Sequence, residues 1–132
     1  MIEYTIDRTD RLVRVRLSGY TTTADLARHY SKVHSDPAYD PSFNVLFRIN
    51  DNVNGPIMVD VPSVSGQLEA VARLQNATKW AIVMSPGIRR AVFEFLVPTL
   101  SLASVQMRFF DDEHSALAWL DVDHADAGNA RQ

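Results

Sequence analysis

The sequence predicts an α/β domain built on a five-stranded, mostly parallel sheet. Three observations predict it. The chain opens with two short segments in which apolar and polar residues alternate, the pattern of a hairpin. It then switches repeatedly between helical stripes and short apolar runs, the pattern of a sheet layered with helices. One of those runs, Trp80-Ala81-Ile82-Val83-Met84, is apolar throughout, as in a strand covered on both faces. The order is β-β-α-β-α-β-α-β-α, a mixed sheet with one antiparallel edge strand.

The elements follow from local chemistry. Ile2, Tyr4 and Ile6 alternate with Glu3, Thr5 and Asp7, and Val13, Val15 and Leu17 alternate with Arg14, Arg16 and Ser18. Each set is a strand with one apolar face, and the opposite charges on the polar faces suit antiparallel pairing. Thr22-Thr23-Ala24-Asp25 is a capping box that opens a helix. Leu26, Tyr30 and Val33 form its apolar stripe, with His29 expected on the opposite side. Asp36-Pro37 and Asp40-Pro41 favour turns, so the helix should end near His34 or Ser35.

Phe43 to Ile49 is the third strand, followed by a loop dense in turn formers, Asn50 to Pro56. A helix is expected from Ser63 to Ala77, with Val64, Leu68, Val71 and Leu74 as its stripe. After the apolar strand, Ser85-Pro86 reads as an N-cap with Pro at the first helical position, and that helix should stop before Pro98. Val105 to Phe110 is the last strand. Asp111 or Asp112 caps a short final helix that contains Ala116, Leu117, Trp119 and Leu120. The domain spans residues 1–121, and the polar, acidic tail 122–132 is expected to be disordered.

Composition removes several functional classes. The 132 residues have the length of one domain, for which roughly 100–150 is usual. No Cys means no disulfide, thiolate metal site or Cys nucleophile. A net charge of −3 argues against nucleic acid as a partner. The longest strongly apolar stretch, around Ala91–Leu102, is interrupted by Glu94, Pro98, Thr99 and Ser101. It falls well short of the ~20 residues of a membrane span, and the acidic start of the chain is unlike a signal peptide. A cytoplasmic protein with no integral membrane segment is expected.

Catalytic motifs are missing. The chain holds no GxxxxGK[ST], GxGxxG, GxSxG or HExxH. Asp51, Asn52 and Asn54 crowd one loop, but Val53 and Gly55 fall at the wrong positions for a calcium loop. His124 and the acids beside it lie in the tail. No metal, cofactor or catalytic residue is assigned; a non-enzymatic role is expected, and the alternative is an enzyme with an anion site at the carboxyl edge of the sheet. The carboxyl edge of the sheet is where an α/β protein holds ligands. There, Ser85, Gly87, Arg89 and Arg90 at a helix start are anion-binding candidates, and Asp51, Asn52 and Asn54 are loop candidates.

The helix from Ile88 carries two apolar stripes. Ile88, Val92, Phe95 and Leu96 lie on one face, and Phe93, Val97 and Leu100 form a second. One stripe covers the sheet. The second, Phe93, Val97 and Leu100, lines an apolar cavity, meets a partner such as a second copy, or is folded inward at Pro98.

Three phrases resemble the SpoIIAA-like family, which is grouped with STAS and CRAL-TRIO domains. The first is Leu17-Ser18-Gly19-Tyr20-Thr21-Thr22-Thr23-Ala24-Asp25-Leu26, a strand, a Gly and a helix opening. The second is the strand Trp80 to Met84. The third is Met107-Arg108-Phe109-Phe110-Asp111-Asp112-Glu113-His114-Ser115-Ala116-Leu117-Ala118-Trp119-Leu120, which looks like the family ending. The resemblance covers roughly residues 2–120. It implies a binding module rather than an enzyme, either self-associating as a homodimer or taking a small apolar, lipid-like ligand. In STAS relatives it also implies a phosphorylation switch, for which Ser63 and Ser65 are the candidates. Here Asp60 and Ser63 are separated and Pro62 intervenes, a departure from the STAS pattern that favours reading either Ser as a helix N-cap.

Overall fold

The computed structural model describes residues 1–76 and 78–121. The strands are β1 (Ile2–Asp7), β2 (Leu12–Leu17), β3 (Asn44–Ile49), β4 (Lys79–Val83) and β5 (Gln106–Phe110). The helices are α1 (Thr23–Ser35), α2 (Val61–Ala72), α3 (Ile88–Leu96) and α4 (Glu113–Trp119). The strands lie side by side in chain order, β1-β2-β3-β4-β5. β1 pairs antiparallel with β2, and the remaining pairs are parallel. The expected α/β order and the antiparallel edge strand are therefore present.

Register turns the alternation into rows. Tyr4, Val15, Phe47, Ile82 and Phe109 run across the sheet on one face, and Ile6, Val13, Val45, Trp80 and Met107 run beside them. α1 and α2 cover this inner face, burying Leu26 and Val33 from α1 and Val64, Val71 and Ala72 from α2. A chain-ordered parallel sheet with right-handed crossovers places each crossover helix on the same side. The opposite face is polar at its β1–β2 end and apolar further along. There α4 covers Leu12, Leu46, Ala81 and Val83 with Ala116 and Leu120.

The caps are as chemistry dictates. The Thr22 hydroxyl accepts from Asp25 N at 3.0 Å, and the Asp25 carboxylate accepts from Thr22 N at 2.9 Å, completing the capping box. Hydrogen bonding by Thr22, led by its backbone N–H, holds the Asp25 carboxyl below the ordinary range. Asp112 caps α4 by accepting from Ser115 N at 2.7 Å. The charges on the polar strand faces are sorted less simply. Glu3 pairs with Arg16 at 3.1 Å, whereas Arg14 and Arg48 both reach Glu113 of α4.

Several expectations are corrected. α2 begins at Val61, and Asp60 rather than Ser63 or Ser65 is its N-cap, accepting from Ser63 N at 3.3 Å. α2 also ends at Ala72, and Leu74 is exposed. The reason is Gln75, which turns into the core: its amide nitrogen donates to Tyr39 Oη at 2.6 Å and its oxygen accepts from Thr78 Oγ1 at 3.0 Å. Gly87, not Ser85, is the N-cap of α3, because the first helical bond runs from Ala91 N to Gly87 O at 2.9 Å. His29 is buried, not opposite the stripe, since a residue three after Leu26 shares its face. The tail 122–132, His124 included, lies outside the described residues. Among the described residues no helix is long and apolar enough to cross a membrane.

Candidate functional site: an apolar cavity beneath α3

α3 is amphipathic, yet none of its residues is buried. Ile88 and Phe95 are 83% and 78% exposed, and Val92 is exposed beside them. The stripe expected to cover the sheet therefore faces out, and the stripe expected to need a cover faces in. The rotation is set by two arginines. Arg90 donates to Met84 O at 3.0 Å and pairs with Asp111 and Glu94. Arg89 donates to Asp51 O at 3.1 Å and also to Val53 O. Phe93 and Val97 follow these arginines at helical spacing, so they share the inward face.

Beneath them lies a cavity of about 90 Å³. Its floor is the sheet, with Phe47, Ile82 and Phe109 of the inner face. Tyr30 of α1 and Val64 and Leu68 of α2 form walls, and Phe93 and Val97 lie over the top and leave it partly open. Leu17 and Ile49, the last residues of β2 and β3, reach it as well, so it extends to the carboxyl ends of those strands. Leu100 is half-buried but does not line it. The loop after β3 contributes Ile57 and Met58 rather than its polar residues.

The cavity surface is wholly apolar; Tyr30 lines it with its ring, and its hydroxyl is not exposed to it. The Tyr30 hydroxyl is buried and has no hydrogen-bond partner among the described residues. Burial pushes its ionisation far above the ordinary tyrosine range, so it stays a neutral donor. An unmet buried hydroxyl costs on the order of 1–3 kcal/mol. Gln67 Oε1 of α2 is likewise buried and unpartnered, although its amide nitrogen donates to Thr23 O at 3.1 Å.

The polar candidates form a different arrangement. Asp51, Ser85, Gly87 and Arg89 surround an open hollow of about 240 Å³, so the two edge loops do meet. The guanidinium groups there are engaged with the chain's own oxygens, and the arrangement clasps one loop to the other. Asn52 Oδ1 accepts from Gly19 N at 3.2 Å, and Asn54 Nδ2 donates to Asn52 O at 3.1 Å, which shapes the loop itself. Ser63 and Ser65 sit half-exposed in the first turns of α2. Among the described residues no three His, Asp or Glu side chains are grouped as a metal would need.

Reading the sequence singled out Phe93 and Val97 but missed Tyr30, Ile57 and Met58. Tyr30 carried a signal: a tyrosine inside an otherwise apolar stripe brings a hydroxyl that must find a partner. No protein-family model matches the chain, and no curated protein matches it.

Proposed function

We propose that this chain is a non-enzymatic binding module of the SpoIIAA-like type, and that it holds a small apolar molecule beneath α3. The observation that carries the reading is an apolar cavity roofed by a helix with no buried residue. A roof so lightly packed can be displaced at small cost, because few apolar contacts are lost when it lifts. At about 90 Å³ the cavity is smaller than the ~150 Å³ void that takes up benzene, so a lipid-sized guest requires α3 to move.

A native mass spectrum of the untagged protein is expected to show an added mass that disappears on denaturation. Val97→Phe, which fills the cavity, should remove it. A bare chain that also takes up no isopentane, followed by shifts of the Phe93 and Val97 amides, removes the reading.

A second reading, self-association, rests on the outward face of α3, where Ile88, Val92 and Phe95 are exposed together. The same spectrum would then report a dimer, and Ile88→Glu with Phe95→Glu would return a monomer. A wild-type monomer at all concentrations sinks this second reading.

A further inference from the structure

We propose that the open edge of β1 pairs with β1 of a second copy, joining two sheets into one about a two-fold axis at Tyr4. The edge lies at the far end of the sheet from α3, which connects β4 to β5, so this inference is independent of the cavity. β1 has one neighbouring strand, β2. Met1 and Ser18 exchange both backbone bonds, Ser18 N donating to Met1 O at 2.9 Å and Met1 N to Ser18 O at 2.6 Å. Antiparallel pairs alternate between bonded and non-bonded, so Glu3, Thr5 and Asp7 also turn their backbone groups toward β2. The N–H and C=O of Ile2, Tyr4 and Ile6 therefore point to the open edge. The β1–β2 register is one to one, with no bulge, and the strand holds no Pro or Lys, the usual guards of an edge.

The side chains select the occupant and its register. A two-fold axis at Tyr4 places Ile2 opposite Ile6 of the second copy, Tyr4 opposite Tyr4 and Glu3 opposite Thr5. The apolar residues then continue the inner face across the junction, and each outward N–H meets a C=O. An axis at Glu3 sets Glu3 against itself, and an axis at Thr5 sets it against Asp7, so both neighbouring registers oppose like charges. An axis between residues would match inner side chains with outer ones. Charge also agrees beyond the strand. A hollow of about 600 Å³ flanks the edge, and Glu3, Asp25, Arg28 and Lys32 line it. α1 returns the chain from the end of β2 to the start of the parallel β3, so it runs the same way as β1. The two-fold axis thus brings the Glu3 and Asp25 end of one copy beside the Lys32 end of the other. Met1 and Tyr20, 61% and 64% exposed, line the same hollow and are apolar surface for the second copy to cover.

Sedimentation velocity of the full chain tests the pairing, and the wild type is expected to be a dimer. Thr5 is exposed, so its replacements leave the fold intact, which urea unfolding verifies. Thr5→Glu sets like charges against Glu3 of the second copy at both ends of the junction and should weaken the dimer about fivefold, whereas Thr5→Lys should tighten it about fivefold. Ile88→Glu with Phe95→Glu should leave the dimer unchanged. The chain has no Cys, so introduced disulfides read the register. Glu3 and Thr5 of opposite copies form a non-bonded pair with Cα atoms about 4.5 Å apart, within disulfide reach. A mixture of Glu3→Cys and Thr5→Cys chains should cross-link on oxidation, and neither chain alone should. A wild-type monomer at millimolar concentration, equal responses to Thr5→Glu and Thr5→Lys, a dimer dispersed by the α3 variant, or cross-linking of either chain alone as fast as the mixture overturns the proposal.

Discussion

His29 shows how much one position can control. It is 5% exposed, with its ring edge-on to Tyr4 at 5.7 Å and tilted against Tyr30. Burial, with His34 and Lys32 adding to it, lowers its pKa from 6.5 to about 4. The folded state thus resists taking up a proton that the unfolded chain accepts. Stability is complete above pH 6.5 and falls as the pH drops from there toward 4. The loss attributable to this group is about 3 kcal/mol. Urea unfolding at neutral pH and at the acid limit should show it, and His29→Leu should flatten that part of the slope. Gly55 is a second such position. Its φ is +99°, and a Cβ there would lie 2.9 Å from Thr21 O and 3.0 Å from the Tyr20 ring. Gly55→Ala is expected to cost about 1–3 kcal/mol in chemical denaturation, whereas a fully tolerated substitution would mean the loop can shift.

Two short helices behave oppositely. α4 has seven residues, too few to be stable alone, so its cap and its packing carry it. Asp112→Ala should cost about 1 kcal/mol, read as a lower midpoint in a denaturant titration. α3 is held by polar clasps at its start and turns out at Pro98, with a 3-10 turn over Val97–Thr99. Because Ile88 and Phe95 are already in solvent, replacing both with Glu should change stability by no more than about 0.5 kcal/mol. A large loss would mean that this face is covered in the folded protein. Hydrogen exchange should also find α3 among the first elements to open, ahead of β3 and β4, whose residues form the core.

The whole molecule is a sheet covered unequally. Its inner face carries the long helices, while the outer face depends on α4 alone for its apolar half. Leu120 is 3% exposed and closes that half over Leu46 and Val83. Leu120→Ala is expected to cost about 2–4 kcal/mol in an unfolding titration, since the void cannot refill from a single thin helix. The polar half of the same face, with Arg14 and Arg48 sharing Glu113, is solvated and should tolerate Glu113→Gln with a loss of under about 1 kcal/mol.

Local chemistry alone determined much of this protein. Alternation set β1 and β2, unbroken apolarity set β4, Thr22 with Asp25 started α1, Asp112 started α4, and Pro98 ended α3. In each case the signal and its effect lie within a few residues, where period and hydrogen bonding act directly. The tertiary structure decided what depended on distant partners. Periodicity showed two apolar stripes on α3, and the expected assignment of the Ile88 stripe to the sheet is reversed: the carbonyls of Asp51, Val53 and Met84 receive Arg89 and Arg90 and turn the Phe93 stripe inward. Gln75 ended α2 early because its partners, Tyr39 and Thr78, come from elsewhere in the fold. Tyr30 is left without a hydrogen-bond partner among the described residues only because the fold buries its hydroxyl, which the helix's own periodicity does not reveal.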